Sequence, residues 1–473
     1  MSGVYLKVMW CVGSGLALMG CQTVVQTPAV PSQMMGQLVS AATPVTVFSM
    51  AQIDTFGAEK IPYAKLLAHP AQCNVRVQSL HYVTQGVNGE PTNASAALLI
   101  PEGSAAVCQQ PHALIGYARG TETKRSRTLA RAKDSTTQQL AAFYAAQGDV
   151  VVAMDYLGFG QSDYPFHPYV HAESEATSMI DALRAARQAM RTVATPSGGL
   201  SGDVMLFGHS EGGHAALATQ QAIETDSMLS SEFHVVAAGS SAAPAALTPY
   251  VQHMIAPQTA GQLGHLALAY AITAYQKVYG DVYRQPSDLF KAPYANRIES
   301  LLPSRYGMTS MLALKRVPWH GAADPAANNS ALYVDGFAEA LAKPERNPAL
   351  VGPFLAAVKR NDFVQMDWTP KTPTLLCGGS RDPLVLYPYA TAPLAQKWAA
   401  LPNVKVVDID AQAQPLAAKL WESAQHALLY RLTGIKTEQQ YRDFVYHWLL
   451  VGQGCMAESR LFFDTAKQRP RTP

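Results

Sequence analysis

Asp203-Val-Met-Leu-Phe207, Gly208-His209-Ser210-Glu211-Gly212-Gly213, His214-Ala-Ala-Leu-Ala218: this stretch decides the fold. The apolar run at its start predicts a short buried strand. The alanine-rich run at its end predicts a helix from about Ser210 to Ile223. Gly-x-Ser-x-Gly stands between them. With glycine at about 7% of residues, a given serine carries both glycines by chance about 0.5% of the time, so the letters alone are weak. The flanking strand and helix give them weight. A sharp strand–turn–helix strains the serine backbone and lifts its hydroxyl above the C-terminal edge of a parallel sheet. Glycine suits positions 208 and 212 because a Cβ at either would crowd neighbouring backbone. The free N–H groups of the first helical turn favour developing negative charge. An ordinary tight turn from strand to helix is the bland alternative.

Outward from that turn, strands and helices alternate. Asn74–Thr84 predicts a strand, with Ala94–Ile100 as its partner across a turn at 86–93. Ala113–Tyr117 and Val150–Met154 have the continuous apolar character of buried parallel strands. Leu129–Ala146 and Ser174–Val193 predict helices. In the second, Met179, Leu183, Ala186 and Met190 form one apolar stripe, and Arg184, Arg187 and Arg191 fall off it toward solvent. Val235–Gly239, Thr374–Cys377 and Val404–Ile409 predict further strands, and Thr437–Leu450 a C-terminal helix. The alternation implies an α/β fold: a mostly parallel sheet, covered on both faces, with an antiparallel hairpin at its N-terminal edge. Between 241 and 371 the pattern breaks down, and prolines and an apolar segment, Leu263–Ile272, mark a helical insertion. The core is expected at 46–240 and 372–473.

Composition narrows the class. The chain has 473 residues, with 36 Lys and Arg against 34 Asp and Glu, so 36 − 34 leaves +2. That balance gives no electrostatic case for nucleic acid. Hydrophobic residues at 48% and charged ones at 15% exclude a disordered chain. No apolar run reaches the roughly 18–20 residues of a membrane-spanning helix.

Residues 1–21 have the order of an export signal: Lys7, an apolar run from Val8 to Leu18, then Leu18-Met19-Gly20-Cys21. The ending resembles a bacterial lipobox, which implies lipidation at Cys21. Gln22 in place of Asp implies the outer membrane, facing the periplasm or the exterior. A buried N-terminal helix is the alternative. Residues 22–45, uncharged and rich in Gln, Thr, Pro and Ser, are expected to form a tether. Of six cysteines, Cys73, Cys108, Cys377 and Cys455 remain after the signal and the lipid site are set aside, and four permit three pairings. Cys73 and Cys108 flank the hairpin, which favours that pair and leaves Cys377 with Cys455. Four free core thiols are the alternative, disfavoured in an oxidising compartment.

With these elements in place, the chain resembles the α/β-hydrolases, and more narrowly the secretory-lipase type of fungal lipase A and its bacterial relatives. The resemblance is carried by the serine turn, by Asp155-Tyr156-Leu157-Gly158-Phe159-Gly160, by His167-Pro168-Tyr169 with His171-Ala172, and by Cys377-Gly378-Gly379-Ser380-Arg381-Asp382-Pro383. It covers roughly 72–239 and 373–447.

The hydrolase order is serine, acid, histidine. Ser210 is the expected nucleophile. Asp382, in a loop just after a strand, is the expected acid; Asp324 has similar neighbours but no strand before it. Only two of the 13 histidines follow Asp382. His447 lies in an apolar helical stretch, Phe444-Val-Tyr-His-Trp-Leu-Leu450, and reads as a packed histidine. His426, after the last strand and 426 − 382 = 44 residues from the acid, is the expected base. Glu211 and Thr121 are expected to supply the backbone N–H donors of an oxyanion hole. Relatives of this type often have His-Gly-Thr where this chain has Arg119-Gly120-Thr121. Arg119 reads equally as a salt-bridged side chain. His209 and His214 read as structural. His167 and His171 lack a carboxylate that would complete a ligand set, so no metal and no cofactor is expected.

These readings make the expected protein a lipid-anchored serine ester hydrolase. The insertion would cap the site, and its substrate would be a small-molecule or lipid ester. A serine peptidase using Glu211 or a cap carboxylate to hold a peptide terminus is the rival enzyme. A catalytically inactive binding lipoprotein is the rival from another class.

Overall fold

The computed structural model describes residues 34–59, 70–192, 198–254, 262–307, 310–311, 316, 331–411 and 442–468. Cys21, Asp324 and His426 lie outside the described residues.

Among the described residues, nine strands form one sheet: β1 (Thr43–Phe48), β2 (Asn74–Gln85), β3 (Pro91–Glu102), β4 (His112–Ala118), β5 (Val150–Met154), β6 (Leu200–His209), β7 (His234–Ser241), β8 (Thr374–Gly378) and β9 (Val404–Asp408). Their order is β1-β2-β3-β5-β4-β6-β7-β8-β9. The first three pair antiparallel, β3 meets β5 antiparallel, and all remaining pairs are parallel. This is the α/β-hydrolase architecture expected from the sequence. β1 is the addition, since part of the expected tether is a strand. Thr-Pro-Val-Thr-Val-Phe occupies an outer edge, half exposed, so it lacks the apolar continuity of a central strand.

Alternation along the central strands builds a core on each face of the sheet. Ile115, Tyr117, Val151, Met205 and Phe207 face one side, under α1 (Ser135–Phe143) and the C-terminal helix. Leu114, Val150, Val152, Val204 and Leu206 face the other, under α2 (Ala172–Thr192) and α3 (Glu211–Thr225). α1 begins later than the sequence predicts, because Asp134 caps it through the N–H groups of Thr136 and Thr137. The residues before it are tied elsewhere. The buried Asp155 carboxylate accepts from the Leu129 N–H and from the Ser95 and Thr128 hydroxyls, each at 2.7 Å. Arg184 and Arg187 also depart from expectation. Arg184 pairs with Glu232 and Asp181, and Arg187 lies 4.3 Å over the Phe233 ring.

After β7 the chain leaves the sheet through α4 (Leu247–Met254), α5 (Gln262–Tyr279), α6 (Phe337–Ala342) and α7 (Pro348–Lys359) before returning at β8. Leu263–Ile272 is the first half of α5. Leu266 and Ile272 are buried in a cluster that runs from the inserted helices onto Leu375 and Cys377 of β8. Among the described residues, two disulfides form, Cys73–Cys108 and Cys377–Cys455, the pairing expected from the sequence. The chain ends in a π-helical stretch, Arg442–Val451, followed by α8 (Gly452–Lys467).

Candidate active site

Ser210 sits between β6 and α3 with φ 61° and ψ −126°, a strained conformation for a residue with a side chain. The turn is held by the Ser210 N–H on the Ser241 carbonyl at 2.8 Å and the Gly213 N–H on the Ser210 carbonyl at 2.9 Å. Sterics explain both motif glycines. A Cβ on Gly208 would lie 1.9 Å from the Gly212 carbonyl oxygen, and one on Gly212 would lie 1.9 Å from that of Ala118.

Asp382 lies in the loop after β8. Its Oδ1 accepts from the N–H groups of Leu384 and Val385 at 2.9 and 3.0 Å. That fixes the carboxylate and leaves Oδ2 to face His447, whose Nδ1 is 2.7 Å away. Both side chains are wholly buried. The other ring nitrogen of His447, Nε2, has no hydrogen-bond partner among the described residues. The ring lies 4.6 Å from that of His209, the residue before Ser210, and 5.1 Å from that of Trp448. Trp448 in turn covers Gly120, where a Cβ would meet Trp448 Cζ3 at 2.8 Å and Ser210 Cβ at 3.3 Å. Serine turn, acid loop and C-terminal stretch thus converge. The histidine brought to Asp382 is His447, which the sequence reading set aside as packed. Its apolar setting is real, and it is what shields the imidazole–carboxylate pair from water.

The loop after β4 runs beside the serine turn because β4 and β6 are parallel neighbours, with Ala118 opposite Gly208. Arg119 is buried and salt-bridged, its Nη2 3.0 Å from Glu122. The Thr121 hydroxyl is 2.9 Å from the phenol oxygen of Tyr169, and the Tyr169 ring stacks on Tyr270 of α5 at 4.5 Å. Two residues on, the loop pairs with the insertion: Ser304 donates to the Thr123 carbonyl at 2.9 Å and Arg125 donates to the Ser304 carbonyl at 2.7 Å. Inserted residues are therefore stitched to the segment that carries Gly120 and Thr121.

Four further histidines, His167, His171, His209 and His214, are buried. His167 bonds the Leu157 carbonyl at 3.2 Å and Glu211 Oε1 at 2.5 Å. Glu211 is buried, with Oε1 on His167 and Oε2 without a hydrogen-bond partner among the described residues. His214 meets Glu175 at 2.6 Å and donates from Nε2 to the Asn361 carbonyl at 2.8 Å. Burial disfavours the charged form of His214, but the Glu175 carboxylate, with the Asn361 carbonyl and Glu211, outweighs it and pushes the pKa up. His209, bonded to the Ser241 hydroxyl at 2.9 Å, is pushed well down by burial and by His447, and stays neutral against the ring it touches. His171 bonds Ser174 at 3.0 Å, and burial, then His214, lower it to about 4.

No protein-family model and no curated protein matches the chain. Solved structures do. The chain is 34% identical to the rice cell wall degrading esterase LipA from Xanthomonas oryzae, over 85% of this chain and 98% of that one, with a TM-score of 0.69. A putative hydrolase from Legionella pneumophila superposes with a TM-score of 0.70 at 20% identity, covering 92% and 100%. Candida antarctica lipase A in its closed state shares the fold, with a TM-score of 0.54 at 15% identity and 84% of each chain covered.

Proposed function

The chain belongs to the lipase-A-like α/β-hydrolases, the family of the esterase LipA, and on that premise we propose that it cleaves carboxylic esters with Ser210 as nucleophile, His447 as base and Asp382 as acid. The observation that carries the reading is the 2.7 Å contact between His447 Nδ1 and Asp382 Oδ2, with Nε2 left without a partner among the described residues. A carboxylate on Nδ1 keeps the proton there and leaves the Nε2 lone pair to take the serine proton. His447 replaces His426 in this role.

Ser210 Oγ attacks the ester carbonyl while its proton passes to His447 Nε2. The oxyanion is stabilised by the backbone N–H groups of Glu211 and Thr121. The imidazolium returns the proton to the leaving alcohol, and an acyl-enzyme remains. Water, deprotonated by His447, then attacks the acyl carbon, and the acid departs as Ser210 regains its proton. Asp382 orients the ring and stabilises its charged form throughout. The His167–Glu211 contact holds one donor of the hole from below, and the Tyr169–Thr121 contact holds the other from the side.

The same proposal places the enzyme on a bacterial membrane through a lipid on Cys21, supported by the order of Lys7, the apolar run and Leu18-Met19-Gly20-Cys21. The mechanism is tested by hydrolysis of a short nitrophenyl ester and labelling with a fluorophosphonate. Ser210→Ala should lose both. His447→Ala should lose several orders of magnitude in rate, while His426→Ala stays near wild type. Full labelling and hydrolysis in folded Ser210→Ala would refute the nucleophile. The reverse pattern between the two histidines would restore His426.

A further inference from the structure

Asp410 follows β9, outside every motif the sequence offered. Its carboxylate meets two residues distant in sequence. Oδ2 accepts the backbone N–H of Arg381 at 2.9 Å, and Oδ1 accepts Nε and Nη2 of Arg381 at 3.1 and 3.0 Å. The Tyr446 hydroxyl also donates to Oδ1. Arg381 is the residue before Asp382, and Tyr446 is the residue before His447. The acid and the histidine are therefore joined twice, once by their own hydrogen bond and once through Asp410 by the residues immediately upstream of each.

We propose that Asp410 is a positioning residue that sets the geometry of the Asp382–His447 pair, resting on the assignment of that pair as acid and base. The surroundings are shaped for its carboxylate. A Cβ on Gly379 would lie 2.9 Å from Asp410 Oδ2 and 3.0 Å from Val451 Cγ2, so a side chain there would push the group out. The Asp410 side chain is only 7% exposed, whereas that of Arg381 is 51% exposed, so the buried end of the bridge is the one that touches Tyr446. Burial and the Asp410 bond hold the Tyr446 phenol well above its ordinary range, which keeps it a donor wherever the enzyme works. Neighbouring backbone fixes Asp410 in turn. The Asp408 carboxylate accepts from both the Asp410 and Ser380 N–H groups at 3.0 Å, and the Ile409 N–H bonds the Gly378 carbonyl at 2.9 Å. The Cys377–Cys455 disulfide brackets the arrangement, tying the strand before the acid to the helix after the histidine.

A loop brace with no bearing on chemistry would lower thermal stability and leave kcat intact in protein that is still folded. A positioning residue lowers kcat while KM holds, because displacing a base by about 1 Å costs on the order of 100-fold in the chemical step and little in ground-state binding. The experiment compares full-length wild type, Asp410→Ala, Asp410→Asn, Tyr446→Phe, the Asp410→Ala/Tyr446→Phe pair and His447→Ala on a nitrophenyl butyrate, with melting temperature measured alongside. Asp410→Ala should lose on the order of 100-fold in kcat with KM within about twofold. Asp410→Asn, which retains an acceptor for Tyr446, should recover part of that loss. Tyr446→Phe should lose part of it, and the double variant should be no worse than Asp410→Ala, since both break one path. If Asp410→Ala does not fold, the near-isosteric Tyr446→Phe decides. Wild-type kcat in folded Asp410→Ala or in folded Tyr446→Phe, with His447→Ala inactive, overturns the role of Asp410 alone. Activity in folded His447→Ala overturns the pair itself and the proposal with it.

Discussion

Replacing Asp382 by asparagine isolates one oxygen of the proposed acid. In the wild type Oδ1 holds the loop through the Leu384 and Val385 N–H groups, and only Oδ2 faces His447. The asparagine amide has one acceptor and one donor end. Turning its NH2 toward the loop would set donor against donor at two backbone N–H groups, each costing about 1–3 kcal/mol when left buried without a partner. The carbonyl therefore stays on the loop and the NH2 faces His447 Nδ1. A donor there forces the ring proton onto Nε2, so the imidazole cannot take the proton of Ser210. The loss should be about 10⁴ in kcat, or about 5 kcal/mol of transition-state stabilisation, with the melting temperature near that of wild type. Steady-state hydrolysis of a nitrophenyl ester, with thermal unfolding of the same samples, measures both. A loss under about tenfold in a protein that melts like wild type would show that Oδ2 does not set the tautomer, and the acid would have to be sought elsewhere.

Gly212→Ala should reduce stability by the upper end of about 1–3 kcal/mol or more and abolish labelling, because its Cβ meets the Ala118 carbonyl oxygen at 1.9 Å. Gly454→Ala, whose nearest contact is 3.4 Å away in Ile409, is the tolerated control; equal melting of the two would refute the steric account. Burial, outweighing Thr84 and Arg184, raises Asp181 from 3.8 to about 6, and burial with His214 lowers His171 from 6.5 to about 4. The folded protein thus holds the Asp181 proton longer and the His171 proton less, so as pH rises from about 4 to 6 the first loses stability and the second gains it, each by up to about 3 kcal/mol. In urea titrations over that range, Asp181→Asn should gain on wild type as pH rises and His171→Gln should fall behind; parallel curves would contradict both shifts. Leu266→Ala should cost about 2–5 kcal/mol by chemical denaturation, since the side chain is buried in the cluster, and should leave the preference among acetyl to palmitoyl esters unchanged. A shifted preference would make Leu266 part of the acyl pocket. Cys21→Ser should leave an unlipidated chain, read by mass spectrometry of the mature N-terminus, and an unmodified wild-type start at another residue would remove the anchor from the proposal.

The serine turn was legible because its chemistry is local. A strand, two glycines and a helix start within some sixteen residues specify the backbone, and the 1.9 Å approaches show why no other residue fits at 208 and 212. The proposed acid was legible for the same reason, as an aspartate one short loop after a buried strand. The histidine that contacts Asp382 was not. Its partner lies 65 residues away, and nothing in the spacing says which of two late histidines returns to the sheet. Loop length favours His426, and the apolar neighbours of His447 read as a sign of packing. An imidazole that must keep its carboxylate partner out of water has the same neighbours as one that merely fills space, so composition could not separate them. The signal that could have done so is Trp448, a large ring next to His447 in a segment that had to cover the glycine loop. β1 escaped for the opposite reason: an outer, half-exposed strand following an uncharged tract carries little apolar signature. Asp410 has no local mark at all, because its role consists of two contacts made only once the sheet has closed.

The pairing of Ser304 with Thr123 and Arg125 bears on how such enzymes can be recombined. Treating the insertion as an exchangeable module assumes that its replacement changes selectivity and spares turnover. Here the graft junction runs through the hydrogen bonds that set the loop carrying Gly120 and Thr121. A foreign insertion would bring a foreign register to that loop, and turnover on every substrate would change with it. A successful graft therefore has to carry residues 119–125 along with 304–306, as one inherited unit.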